Sequence, residues 1–243
     1  MKKSTLQSLY KEALIKRIWL WCSMGFVLVY SMLVIKTFLG IGLNKRVLHV
    51  LSCLCLLVTY GSCVFFRTNA INLQKLLKDG NFRCLLVAGS FLGMNSALIP
   101  MFPFMLMTTL SVAEQVVKER KKFAKTSLLD ASLRLTSRRD EVTLFALKVE
   151  VISVPLLVLH LLTGNADMFS VVSYASMAWF EYGSNPCMQR AVRELVGSLD
   201  RIIGTPGVPP LVQSKYGQLK RYVAAYSPAV PAAGSEPAKA KAS

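Results

Sequence analysis

The side chains able to do chemistry are few and scattered. Two histidines, His49 and His160, stand near opposite ends of different apolar segments. Six cysteines, Cys22, Cys53, Cys55, Cys63, Cys84 and Cys187, form no C-x-x-C pair, and five of them lie in or beside apolar runs. That usage points to reduced, buried, inert thiols rather than metal ligands or disulfides. There is no G-x-S-x-G, Gly-rich phosphate loop, H-E-x-x-H or carboxylate cluster. No catalytic, cofactor-binding or metal-binding residue is therefore assigned, and a non-enzyme is expected. One ionisable pair inside an apolar segment, Lys148 and Glu150, could serve a channel or transporter together with Asn95, because intramembrane charge marks ion and substrate paths. Against this, a charge at mid-membrane costs about 2.5–3.5 kcal/mol on insertion scales, so Lys148 near its segment's start is expected to snorkel to the surface.

The elements that must hold these residues are greasy. Of 243 residues, 53% are hydrophobic and 17% charged, with a mean hydropathy of +0.44, too apolar for a domain with a water-facing surface. The net charge of +16 could mark a nucleic-acid binder. That needs a basic face with interleaved aromatics or a known binding module, and neither is present, so no nucleic-acid partner and no small-molecule substrate are expected. The excess positive charge must sit outside the hydrocarbon.

Uncharged runs divide the chain into an all-α polytopic membrane protein of about six apolar helices in three hairpins. They fall near residues 18–37, 47–66, 84–98, 103–118, 142–163 and 168–183. Lys2 and Lys3 precede the first run, but it starts only at Ile18 and no small-residue cleavage site follows, so an uncleaved span is expected. Trp19 and Trp21 suit an interfacial anchor, and His49 a neutral interfacial imidazole. The thirty uncharged residues from Cys84 to Ala113 are too long for one upright helix. Pro100 and Pro103 predict a tight turn there, with Asn95 and Ser96 satisfying freed backbone groups; the two short helices either tilt or form a wedge that does not fully cross. Residues 118–141 form a basic loop with a short helix near Ser127–Leu135, and Gly164 with Asn165 favours a turn before the sixth segment.

Lys and Arg number five in residues 1–17, four in 67–83, nine in 118–148 and eight after Tyr182. All these regions fall on one side of the hairpins, and only Lys36, Lys45 and Arg46 fall on the other. The positive-inside rule then puts both termini in the cytosol.

Beyond the membrane domain at 18–183, residues 184–228 read as amphipathic helices and 229–243 as a disordered Ala/Pro/Ser/Lys tail. Met188, Val192, Leu195, Val196, Leu199, Ile202 and Ile203 recur at helical spacing opposite Arg190, Arg193, Glu194, Asp200 and Arg201. Gly204 and Pro206 end that helix. A second stripe has Val212, Tyr216, Leu219, Val223 and Tyr226, with Lys215, Lys220 and Arg221 elsewhere. The stripes either lie in the headgroup layer, where each basic residue contributes about 1 kcal/mol on an anionic surface, or pack on each other. The candidate membrane- or partner-binding residues are thus Arg190, Val192, Arg193, Leu195, Val196, Leu199, Arg201, Ile202, Lys215, Leu219, Lys220, Arg221 and Val223. The arm at 1–17, with Leu6, Leu9, Tyr10, Ala13 and Leu14 among lysines, offers the same choice.

Tyr182-Gly-Ser-Asn-Pro-Cys187, followed by Arg190, Arg193-Glu194-Leu195, Pro206 and Pro209, resembles the transmembrane protein 33 family of endoplasmic reticulum and nuclear-envelope proteins. Asn95-Ser96 before Phe102-Pro103, Glu150, Pro155 and Ser227-Pro228 extend the resemblance over about residues 10–228. The chain departs from the pattern in its long basic loop, its alanine-rich end, and at Met188 and Gln189. The resemblance implies a non-enzymatic protein that organises tubular reticulum or nuclear-pore placement. Its implied partners are other membrane-shaping or nuclear-pore proteins, a nuclear transport receptor and lipids of the anionic cytosolic leaflet. A channel or transporter, or a structural subunit of a larger, mitochondrial complex, is the competing expectation.

Overall fold

The computed structural model describes residues 3–67, 76, 79–95, 97–119, 127–205 and 207–226; for residues 3–11, 219 and 222–226 it describes the backbone alone. All regular structure among these residues is helical. In chain order the helices are α1 (Lys3–Leu39), α2 (Lys45–Arg67), α3 (Gly80–Ser90), a 3₁₀ turn (Phe91–Gly93) and α4 (Leu98–Lys118). Then come α5 (Ser127–Ser137), α6 (Arg139–Leu162), α7 (Met168–Ser184), α8 (Pro186–Ile203) and α9 (Pro210–Tyr226). The chain forms two compact units, residues 1–192 and 193–243. The tail end at 229–243 lies outside the described residues.

In the first unit α1 and α2 form a hairpin, α2 packs on α3, α3 on α7, and α4 on α1, α5 and α6. The hairpin turn needs Gly40 and Gly42, at φ +73° and +106°, and the α6–α7 turn needs Gly164 at φ +71°. Those backbone angles are open to glycine and costly for other residues. Three helical stretches are long and apolar enough to cross a membrane: Glu12–Leu39, Lys45–Phe65 and Arg139–Leu162. The arm and the first span are one continuous helix.

The outside of this unit carries large apolar side chains, and its apolar core also encloses polar ones. Trp21, Leu28 and Phe38 on α1, Phe65 on α2, Phe145 and Leu162 on α6, and Phe169 and Trp179 on α7 are all more than half exposed. Ser23, His49, Ser52, Ser153 and Ser170 are fully buried. Water would penalise that arrangement, whereas lipid tails solvate the outer face and leave polar groups to find partners inside.

The core centres on Phe91. Its ring lies 6.2 Å from Phe104 and 6.0 Å from Tyr174, and Phe104 and Tyr174 are 6.3 Å apart. Phe26, Leu56, Val87, Met101, Leu157 and Met177 belong to the same buried cluster, which draws on α1, α2, α3, α4, α6 and α7.

The break in the Cys84–Ala113 run lies earlier than the prolines suggest. The chain leaves helical geometry at Met94, with ψ 149°, and re-enters it at Leu98. Pro100 is the third residue of α4, where a missing N–H forfeits nothing, because the first bond of the helix is donated by Met101 to Ala97 O at 2.9 Å. Pro103 also lies inside α4. Asn95 is exposed in the break, and Ser96 lies outside the described residues. All six cysteines are free as expected, but only Cys53 is buried, and Cys187 is exposed.

Candidate functional site

Two regions of the first unit and the whole of the second bear on function. The first is the end of the bundle that holds the three turns. There the unwound chain between α3 and α4 would be costly in hydrocarbon, since its carbonyls have no helical partner. Side chains from three other helices supply the donors. Arg46 donates to Met94 O and, at 3.3 Å, to Leu92 O, and Tyr30 OH donates to Leu98 O at 2.7 Å. His49 Nε2 lies 2.8 Å from Phe91 O, Ser170 Oγ donates to Ser90 O at 3.1 Å, and Tyr174 OH reaches Pro100 O at 3.4 Å. Arg46 and His49, read from sequence as a boundary charge and an interfacial imidazole, are thus structural donors. The role expected of Asn95 and Ser96 falls to residues 42 to 80 positions away in sequence. A Cβ on Gly93 would meet Asp167 Oδ2 at 2.8 Å, so this break and the α6–α7 turn lie side by side and a larger residue at 93 would displace the Asp167 carboxyl.

The second region lies towards the opposite end of the bundle. A cavity of about 280 Å³ is lined by Tyr60, Arg83, Cys84, Phe104, Glu150 and Glu181, among others. Glu150 is 6% exposed, and its Oε1 has no hydrogen-bond partner. Lys148 is two residues away on the same helix, about 200° round its axis, and does not line this cavity; nor does Asn95. The structure therefore does not bring Lys148, Glu150 and Asn95 together as a transport path would require. Lys16 to Glu119, at 3.4 Å, and Arg139 to Glu114, at 3.3 Å, tie the start of α1, the end of α4 and the start of α6 together.

The Tyr182–Cys187 motif has a local mechanical role. Asn185 leaves helical geometry at φ −113°, ψ 109°, while its N–H donates to Glu181 O and its Nδ2 donates to Glu181 Oε1, closing α7. Its Oδ1 accepts from Cys187 N at 2.9 Å, opening α8, and Pro186 takes the first helical position. Met188 and Ala191 then bury against Leu147 and Ala178. Arg190 is exposed and Val192 half-buried.

In the second unit, the last turns of α8 and the whole of α9 form a hairpin through Gly207, at φ +113°. Gln213 Nε2 donates to Ile203 O at 3.2 Å and Val208 O at 3.3 Å, so it latches the turn. Asp200 accepts from Tyr216 OH at 2.9 Å and from Lys220 Nζ at 2.7 Å. The Lys220 ammonium, then the Tyr216 hydroxyl, hold the Asp200 carboxyl below its ordinary range, and Asp200 in turn raises Lys220. Lys220, a residue the sequence assigns to a membrane or partner, is thus an intramolecular pair.

Leu199, Ile202, Leu211 and Val212 remain exposed, Ile202 by 63% and Leu211 by 70%. Leu195 and Val196 are half-buried, and Arg193, Arg201, Lys215 and Arg221 are exposed. The Arg221 Nε donates to Gly217 O at 3.4 Å. The side chains of Leu219 and Val223 lie outside the described ones. Sequence reasoning listed Asp200 as the polar face of its helix and Tyr216 as part of an apolar stripe. Only an antiparallel pairing of the two helices shows them meeting.

A family model described as Transmembrane protein 33/Nucleoporin POM33 matches residues 2–229. No curated protein and no solved structure matches the chain.

Proposed function

Because the chain belongs to the transmembrane protein 33/nucleoporin POM33 family, we propose that it is a non-enzymatic, multi-pass protein of the endoplasmic reticulum and nuclear envelope that organises curved membrane, including membrane at nuclear pores. Both termini face the cytosol on this reading, because the Lys/Arg-rich segments then share one side of the bilayer. The observation that carries the proposal is the second unit, which exposes Leu199, Ile202, Leu211 and Val212 and also exposes Arg193, Arg201 and Lys215 on the same two helices. Amphipathic helices that expose apolar side chains and carry cations on their other faces suit a shallow insertion into an anionic leaflet, where they add area to that leaflet alone. The first unit supports the same end: its hairpins fill the bilayer unevenly, since α3 has 11 residues and α2 has 23. Other membrane-shaping or nuclear-pore proteins, and a transport receptor reading the same basic face, are the protein partners this role would use.

Leu199→Glu combined with Ile202→Glu in the full-length protein tests the proposal. Both side chains are exposed, so the fold should survive and the protein should stay in the membrane. Reconstituted into giant vesicles from which narrow tubes are pulled, the wild type should enrich several-fold on tubes over flat membrane, and the double variant should not. Equal enrichment of the two, or none for the wild type, would remove the tail from the mechanism.

A further inference from the structure

The cavity beside Glu150 has no part in membrane shaping, yet it has the features of a built site. Glu150 is more than nine-tenths buried, lines the cavity, and leaves Oε1 without a hydrogen-bond partner. An unpartnered carboxylate in a low-dielectric interior is costly, and a cation brought against it relieves that cost. A second acidic residue, Glu181, lines the same space with Tyr60. Among the described residues no group of three or more His, Cys, Asp or Glu side chains is placed to hold a metal ion. Phe104, Met107, Leu147 and Met177 make much of the remaining wall apolar. Such walls accept the methylene groups that an organic cation carries and a hydrated inorganic ion does not.

Its position fits a ligand that enters from the interface. Gly80, Asn81 and Arg83, from the first turn of α3, line the same cavity. Asp79 caps that turn by accepting from Asn81 N at 2.8 Å. Arg83 lines the cavity too, its guanidinium 5.1 Å above the Phe180 ring, where it can meet an anionic group next to the ammonium.

We propose that this cavity binds an organic ammonium group, with Glu150 as its principal counter-ion, Glu181 and Tyr60 as further acceptors, and Arg83 placed for an adjoining phosphate. The group has two sources: the head of an aminophospholipid in the surrounding leaflet, or a free amine in the aqueous phase.

Full-length protein in nanodiscs of phosphatidylethanolamine, phosphatidylcholine and phosphatidylglycerol is released into native mass spectrometry, and in parallel is titrated with ethanolamine and phosphoethanolamine by calorimetry. The wild type should retain phosphatidylethanolamine about tenfold over phosphatidylglycerol if the lipid is the source. Heat of binding for the soluble amines without lipid selectivity would assign the free source. Either signal should fall at least tenfold in Glu150→Gln, which keeps the shape of the side chain and removes its charge. Met107→Phe, which fills the cavity and leaves Glu150 in place, should have the same effect and guards against a folding defect in the first variant. Wild type binding none of the ammonium compounds, or binding them no better than Glu150→Gln, would overturn the proposal.

Discussion

The turn-bearing end of the bundle and the tail hairpin both rest on polar contacts between distant residues, but in different surroundings. In the bundle, His49, Ser170 and Tyr174 are buried, and each holds a carbonyl of the broken α3–α4 connection. In the tail, Asp200 and Lys220 meet near the surface, with side chains 40% and 50% exposed. A buried acceptor that loses its donor has nothing to replace it, whereas water and salt compete for an exposed ion pair throughout. The first set of contacts therefore fixes the fold, and the second adjusts how open the hairpin is.

The sharpest way to break this contrast is Phe91→Ala, which removes the ring on which Phe104 and Tyr174 converge. It should cost about 3–5 kcal/mol of bundle stability. Denaturant unfolding of detergent-solubilised protein would measure this, and a loss below 1 kcal/mol would show that the break does not organise the core. Next comes His49→Leu, which removes one of the two donors to Phe91 O, the other being Met94 N at 3.1 Å, and should cost about 0.5–1.5 kcal/mol in the same assay. A neutral result would mean that the Met94 N–H alone satisfies that carbonyl.

The smallest effect is expected in the tail and depends on pH. The lowered Asp200 value means that its contribution is complete above the ordinary carboxylate value of 3.8 and is lost as pH falls through the depressed value. The raised Lys220 value means that its contribution holds below 10.5 and is lost as pH rises through the elevated one. The protection of α9 amides, taken as the intrinsic exchange rate at each pH divided by the observed one, should thus be level across the interval between 3.8 and 10.5 and fall on either side. Asp200→Asn should exchange faster at neutral pH with no change in the unfolding of the bundle. Bundle unfolding that moved together with α9 exchange would end the distinction between the regions.

Much of the architecture was legible in the sequence, because hydropathy and 3.6-residue spacing are local signals. The apolar runs of α1, α2, α6 and α7 and the two stripes in α8 and α9 all became helices. Two features were not legible, for a common reason. Pro100 and Pro103 advertise a break, but one occupies a first turn that needs no N–H and the other is carried within α4. The actual break at Met94–Ala97 contains no proline; Arg46 reaches Met94 O within it, and His49 and Tyr30 reach the carbonyls of Phe91 and Leu98 on either side, all from far along the chain. Likewise the Asp200–Lys220 pair spans 20 residues and depends on two helices folding back on each other. The charge of Glu150 was visible in the sequence, but the cavity around it requires four other helices.

The 11 residues of α3 and the three of the 3₁₀ turn that follows rise only about 22 Å, against a hydrocarbon layer of about 30 Å. Were α3 set across a bilayer, the lipid beside it would have to compress, at a fraction of a kcal/mol for each ångström of mismatch. That strain would be smaller in a reticulum bilayer of about 27 Å than in a sterol-rich surface membrane of about 32–33 Å. A helix this short, set across the membrane, would thus give the protein a thermodynamic preference among the membranes of a cell, separate from any receptor that reads its termini.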